Sequence, residues 1–188
     1  MDTNIVITTV ITVFLAFVGY LATYLNNLRL SQRSEKLDRV NRQLSELYGP
    51  LFALTHASDI AWRGFRSVNR PGQPYYFGTG NAPTEAELTA WRLWMTTVFM
   101  PINLRIYEII LSKSDLLIET QMPECLLMFC AHVTAYQAVL KKWESNDFSE
   151  HLSVINYPNE IIEYSKKSYQ YIKAEQEKLI DGKVKRAK

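Results

Sequence analysis

Hydrophobic positions follow two regimes along the chain. From Asn4 to Leu25 they run nearly unbroken for 22 residues, and 26 uncharged residues separate Asp2 from Arg29. A bilayer core of roughly 30 Å takes about 20 apolar residues as a helix, so this stretch predicts an uncleaved transmembrane helix. A removable signal has an apolar core of only about 7–15 residues behind a positive flank. Here Asp2 precedes the stretch and no A-x-A-like site follows it. After Leu28 the pattern turns periodic. Leu37, Val40, Leu44, Leu47, Leu51, Leu54, Ser58, Ala61, Phe65 and Val68 alternate three and four apart, which is a heptad seam. Such a seam suits the core face of a bundle or a free-standing coiled coil. Gly49-Pro50 interrupts it without losing its phase, so a bend between two coaxial pieces is expected there.

The remaining pattern is helical throughout. Residues 69–83 carry three prolines and three glycines and predict a long loop. Thr84 and Glu87 form a capping box that opens the next helix. Trp91, Met95, Val98, Ile102, Ile106 and Ile109 line one side of it, with a kink expected at Pro101. Pro123 stands at the first turn of a further helix on which Leu126, Phe129, Val133, Tyr136, Leu140 and Trp143 share a face. A last amphipathic helix from Asn159 is expected to close at Asp181-Gly182. No alternation is long enough to build a sheet. The expected class is all-α: one N-terminal transmembrane helix followed by an antiparallel four- to five-helix bundle. The parts are an anchor (1–28), a basic juxtamembrane helix (29–48), a helical body (49–182) and a basic tail (183–188).

Charge adds an orientation. Arg29, Arg33, Lys36, Arg39 and Arg42 all follow the span, and none of the chain's basic residues precedes it. The positive-inside rule then puts the N-terminus outside and the body in the cytoplasm. These five residues are the candidates for contact with anionic lipid headgroups, together with the tail from Lys183 to Lys188. Between the basic ends, residues 43–182 are net acidic, which argues against a body that binds duplex nucleic acid. The span also has sides. Thr8, Thr12, Ala16, Gly19 and Thr23 fall on one arc of a helix otherwise faced by bulky Val, Ile, Leu and Phe. Small residues let helix backbones approach closely in lipid, so this stripe is a candidate self-association face.

Candidate chemistry is sparse. Cys125 and Cys130 point to different sides of one helix and are expected to be free, in keeping with a reducing compartment. Cys125, Cys130 and His132 lack the paired spacing of a zinc site. No nucleophile elbow, zincin, Walker A or dinucleotide-binding motif is present, so neither catalysis nor a cofactor is expected. Arg63, Arg66 and Arg70 share a helix face just before Tyr75, Tyr76 and Phe77. Arginine forks beside aromatic planes suit a small anionic ligand such as a nucleotide. The same triplet also suits a solvated face paired with acidic groups of the body.

Two stretches, LDRVNRQLSELYGPLFAL and TEAELTAWRLWMTTVFMPINLRIYEIIL with the following MPECLLMFCAHVTAYQAVLKKWESNDFSEH, resemble an uncharacterised family of small bacterial single-pass membrane proteins. The resemblance implies an inner-membrane protein with a cytoplasmic helical domain, and it brings no activity or functional residue with it. The expected function is therefore non-enzymatic: a membrane-anchored interaction or scaffold protein that self-associates or docks a partner. The alternative is a ligand-gated membrane effector, for instance in antiviral defence or stress response, that senses an anionic nucleotide-like ligand.

Overall fold

The computed structural model describes residues 3–73, 75–78 and 81–184. It is all-helical, 80% helix, with no strand among the described residues. The elements are α1 (Thr3–Arg42), α2 (Gly49–Asn69), α3 (Glu85–Trp94), α4 (Met100–Ser112), α5 (Glu124–Glu144) and α6 (Glu160–Val184). Two π-helical segments, Gln43–Tyr48 and Met95–Phe99, join α1 to α2 and α3 to α4, and a short 3-10 turn spans Ser114–Leu116. The chain forms two compact units, one of residues up to Asn41 with those from Gln176 onward, the other running from Arg42 to Glu175.

The first unit contains the apolar stretch. It lies in the one helix among the described residues that is long and apolar enough to cross a membrane. Its most apolar window has a mean hydropathy of 2.1, with none of that window buried. The threonines of the small-residue stripe turn inward on their own helix. Thr8 donates to Asn4 O at 2.8 Å, Thr12 to Thr8 O at 2.9 Å and Thr23 to Gly19 O at 2.9 Å. The hydroxyl protons are thereby satisfied without water, as an apolar surrounding demands. Farther along, Arg33 donates to the carbonyl of Leu179, and Gln176 Nε2 donates to Asn41 Oδ1 at 2.7 Å. Gly182 does not end α6, which continues to Val184. The side chains of the basic tail, residues 183–188, lie outside the described residues.

In the second unit each of the two prolines at which a bend was expected follows a π-helical segment. Each π segment ends one residue before the residue that precedes a proline, Pro50 or Pro101, at the start of the next helix. Gly49 N–H bonds Leu44 O and Met100 N–H bonds Met95 O, each five residues back. A proline ring collides with the carbonyl four residues earlier in a regular helix, and the wider turn relieves that collision without a break. A π turn also inserts one residue, which shifts the face beyond it. Past Met95 the sequence pattern points to Val98, Ile102, Ile106 and Ile109; Ile106 is buried as expected, whereas Phe99, Asn103 and Ile110 are buried in place of the other three. The seam through α2 keeps its phase at Leu51, Ser58 and Phe65, which are buried as expected, while Thr55 is fully buried beside a partly buried Leu54 and Val68 is 79% exposed.

Packing follows from these faces. α2 meets α6 through Thr55 Oγ1 and Ser165 Oγ at 2.8 Å and through the stacked rings of Phe52 and Tyr169, 4.8 Å apart. Tyr48, fully buried, accepts the Ile118 N–H at 2.9 Å, and Gln43 Nε2 donates to Leu116 O at 2.8 Å. The Thr84–Glu87 capping box forms in both directions, with Thr84 N–H on Glu87 Oε2 at 2.6 Å. Pro123 is the residue before α5 and not part of its first turn. Asn146, with φ of 60°, ends α5 in the left-handed conformation, and Asp147 N–H closes back on Lys142 O at 3.0 Å.

Candidate functional site

Within the second unit, α2 turns Ser58, Trp62, Arg63 and Arg66 toward a cavity of about 680 Å³. Trp91, Met95, Phe99 and Asn103 form another wall, His132 and Tyr136 of α5 a third, and the segment carrying Ile155 and Tyr157 a fourth. The volume falls in the range of about 300–1,000 Å³ typical of small-molecule sites. Asn103 follows the π turn and stands in this wall where the sequence pattern pointed to Ile102.

Rings make up most of the surface. Trp62 meets Trp91 edge-on at 5.8 Å, and Tyr76 lies 5.9 Å from Trp91. Tyr157 meets His132 edge-on at 5.6 Å. Two polar groups sit deep among them. Asn103 is 2% exposed, and its Oδ1 has no hydrogen-bond partner among the described residues. A buried acceptor left unpaired costs about 1–3 kcal/mol, and Arg92 and His151 likewise hold a buried polar atom without a hydrogen bond. His132 Nδ1 lies 2.7 Å from Ile155 O. That bond assigns the ring proton to Nδ1 and leaves Nε2 as an acceptor. Burial holds the imidazole pKa below its ordinary 6.5, so the ring is neutral. Tyr136 and Trp91 Nε1 both donate to His151 O, at 2.7 and 2.9 Å. Burial raises the Tyr136 phenol and pushes Tyr76 up to about 12, so both stay protonated.

The sequence-predicted anion residues separate. Arg63 is exposed at the mouth and pairs with Asp59 at 2.8 Å. Arg66 donates to Gln73 O at 2.9 Å, with its guanidinium carbon 5.8 Å from the Trp62 ring centre. Tyr75 is 71% exposed at the rim, and Tyr76 is a buried wall. Arg70 is a correction: it does not line the cavity. Buried to 4% exposure, it donates to the carbonyls of Tyr76 and Asn81 and pairs with Glu87 at 3.2 Å, so its charge clamps the loop after α2. Asn103, Trp62 and Tyr157 are the site residues that the sequence reading missed. The one available signal was an asparagine inside the apolar run PINLRIYEIIL, where an unpaired amide is costly.

The headgroup candidates also differ from one another. At 1.5 Å per residue, Arg29 stands about 6 Å past Leu25 along α1 and Arg39 about 21 Å past it. The headgroup layer is only about 5–7 Å thick on each side. Arg42 instead pairs with Glu46 at 3.2 Å, and Lys113 pairs with the same carboxylate at 2.7 Å. Both partners hold the Glu46 carboxyl below its ordinary range.

No family model matches the chain, and no curated protein or solved structure matches it. The chemistry of the cavity is therefore argued from its residues alone. Cys125 and Cys130 are free and half-buried, with burial raising both thiols away from the reactive thiolate. No group of three metal-ligating side chains occurs among the described residues. The cavity offers ring-lined walls, with Asn103 and His132 among its polar lining residues and Arg63 and Arg66 beside them.

Proposed function

We propose that this chain is a membrane-anchored, non-enzymatic receptor whose cytoplasmic helical body binds a small ligand. The observation that carries the reading is a ligand-sized, ring-lined cavity with the buried residue Asn103 in its wall. Of the residues with a buried polar atom left unpaired among those described, Asn103 is the one that lines the cavity. In this reading the span is single-pass with its N-terminus outside, the basic flank after the span sets the orientation, and the body is an antiparallel bundle. The resemblance to small bacterial membrane proteins points to the inner membrane. Arg29 meets lipid headgroups, and Arg33 braces the end of α6.

A thermal-shift screen of the full chain in mild detergent tests this with mononucleotides, nucleosides, amino acids and organic acids. A true ligand at about 100 times its Kd stabilises by about 2.7 kcal/mol, which for a chain of this size raises Tm by about 5–10 °C. The shift is expected to vanish in Asn103→Leu. A flat response across the whole panel contradicts the receptor reading.

A second reading, self-association or partner docking through the span, is favoured by one observation. The Thr8, Thr12 and Thr23 hydroxyls are folded onto their own helix, and a side-chain carbon placed on Gly19 meets nothing within 4 Å, so the stripe is smooth. Gly19→Leu is expected to weaken dimerisation in a membrane self-association assay. An unchanged signal removes this reading.

A further inference from the structure

Two contacts fix the direction in which α6 ends. Gln176 meets Asn41 at 2.7 Å, and Arg33, about two turns nearer the apolar stretch of α1, donates to the carbonyl of Leu179. Later residues of α6 thus meet earlier residues of α1, so the last turns of α6 run antiparallel to α1 and back toward that stretch. From Leu179 the helix continues to Val184, about 7.5 Å at 1.5 Å per residue. The same rise carries α1 from Arg33 back to Arg29 in about 6 Å. The end of α6 therefore stands near the level of Arg29, the first charge after the apolar stretch. A bilayer spanned by that stretch has its headgroups at this level. Charge collects there too. Arg29 is exposed, Lys183 lies in the last turn of α6, and Lys185, Arg186 and Lys188 follow it in sequence. Asp181 is the one acidic residue beyond Glu177.

We infer that Arg29 and the basic end of α6 form one binding surface for anionic lipid headgroups, a second hold on the bilayer beside the span. This rests on the reading of α1 as a span and is independent of the cavity. Placement is what makes the C-terminal charges count. A charge acts on a bilayer only within about 8 Å, the Debye length at physiological salt. A helix end turned the other way carries the same residues out of reach. Within that distance each basic residue strengthens binding to an anionic surface about fivefold. Basic residues drawn from two separate segments suit a sheet of headgroup anions more than a single free phosphate. The return of α6 along α1 is thus the element that turns a basic C-terminal run into a membrane contact.

Fluorescence quenching of the full chain in lipid nanodiscs tests the placement. A fluorescent amino acid stands in place of Ala187 or, in a second protein, of the exposed Glu177. The nanodiscs are phosphatidylcholine, alone or mixed equally with phosphatidylglycerol, and both hold a lipid with a quencher on its headgroup. Quenching at position 187 is expected to be stronger in the mixed bilayer by about twofold or more, and stronger there than at position 177. Salt at about 1 M, which shortens the Debye length to about 3 Å, is expected to abolish the gain. Lys183→Gln, Lys185→Gln, Arg186→Gln and Lys188→Gln together are expected to do the same, and they spare the contact of Arg33 with Leu179. Equal quenching at position 187 in the two bilayers overturns the inference, as does stronger quenching at position 177 than at 187. Either result leaves the span reading standing. A chain that does not enter the nanodiscs overturns both.

Discussion

Gly49 and Gly64 lie on the same helix and bear opposite loads. A side-chain carbon built on Gly49 stands 2.4 Å from Leu44 O, the acceptor of the π turn, whereas one on Gly64 meets nothing within 4 Å. Gly49→Ala must therefore push the π turn open and is expected to destabilise by about 1–3 kcal/mol. Gly64→Ala removes only unfolded-state freedom and is expected to stabilise by about 0.4–1 kcal/mol. Denaturant melts of the two variants in detergent check the pair, and a matching sign for both contradicts it. His132 gives a pH signature. Its folded pKa is depressed by burial, with His151 shifted the same way by burial and by Arg92. Above the ordinary value of 6.5 neither state holds the proton, and stability is indifferent to it. As pH falls below 6.5 the unfolded chain takes up protons that the fold refuses, so stability declines. His132→Gln is expected to flatten that decline between pH 6.5 and 5, with His151 supplying the remainder. A slope equal to wild type would mean that the ring is already charged in the fold. Arg70→Met removes charged hydrogen bonds to two loop carbonyls, and a loss of about 1.5–3 kcal/mol is expected in the same melts.

At the scale of elements, helix starts and types were legible in the sequence, and rotational phase was legible along α2 and α5 but only in part along α4. The capping box at Thr84, the loop before it and the apolar faces of α5 follow from side-chain chemistry that acts over a few residues. Leu126, Phe129, Val133, Tyr136 and Trp143 are all buried as their spacing predicts. The proline sites defeated the same reasoning because a proline has two escapes from its clash, a kink or a wider turn. A local pattern does not choose between them. Past the π turn Asn103 is buried where the pattern pointed to Ile102, although Ile106 keeps its expected place, so this wall of the cavity was hidden in the sequence. Deleting the exposed Thr97 is expected to turn Met95–Phe99 into regular helix and restore the Pro101 clash, at a loss of about 3 kcal/mol. Combining the deletion with Pro101→Ala is expected to recover most of that loss, as read by circular dichroism melts. Failure of the second change to recover stability would show that Pro101 is not the reason for the π turn.

For the whole molecule, the apolar stretch and the cavity play different parts. Length and composition alone make α1 able to cross a membrane, and that much was written plainly in the sequence. The cavity assembles from α2, α3–α4, α5 and the segment before α6, and nothing in one stretch announces it. The most direct test of a membrane-held receptor is native mass spectrometry of the full chain, extracted in mild detergent from the membrane fraction and incubated with the mononucleotides, nucleosides and amino acids of the thermal-shift panel. A membrane-held receptor is expected to be recovered from that fraction, with one bound ligand on the wild type and none on Asn103→Leu. A bare chain with every compound, or the same adduct on both proteins, contradicts it.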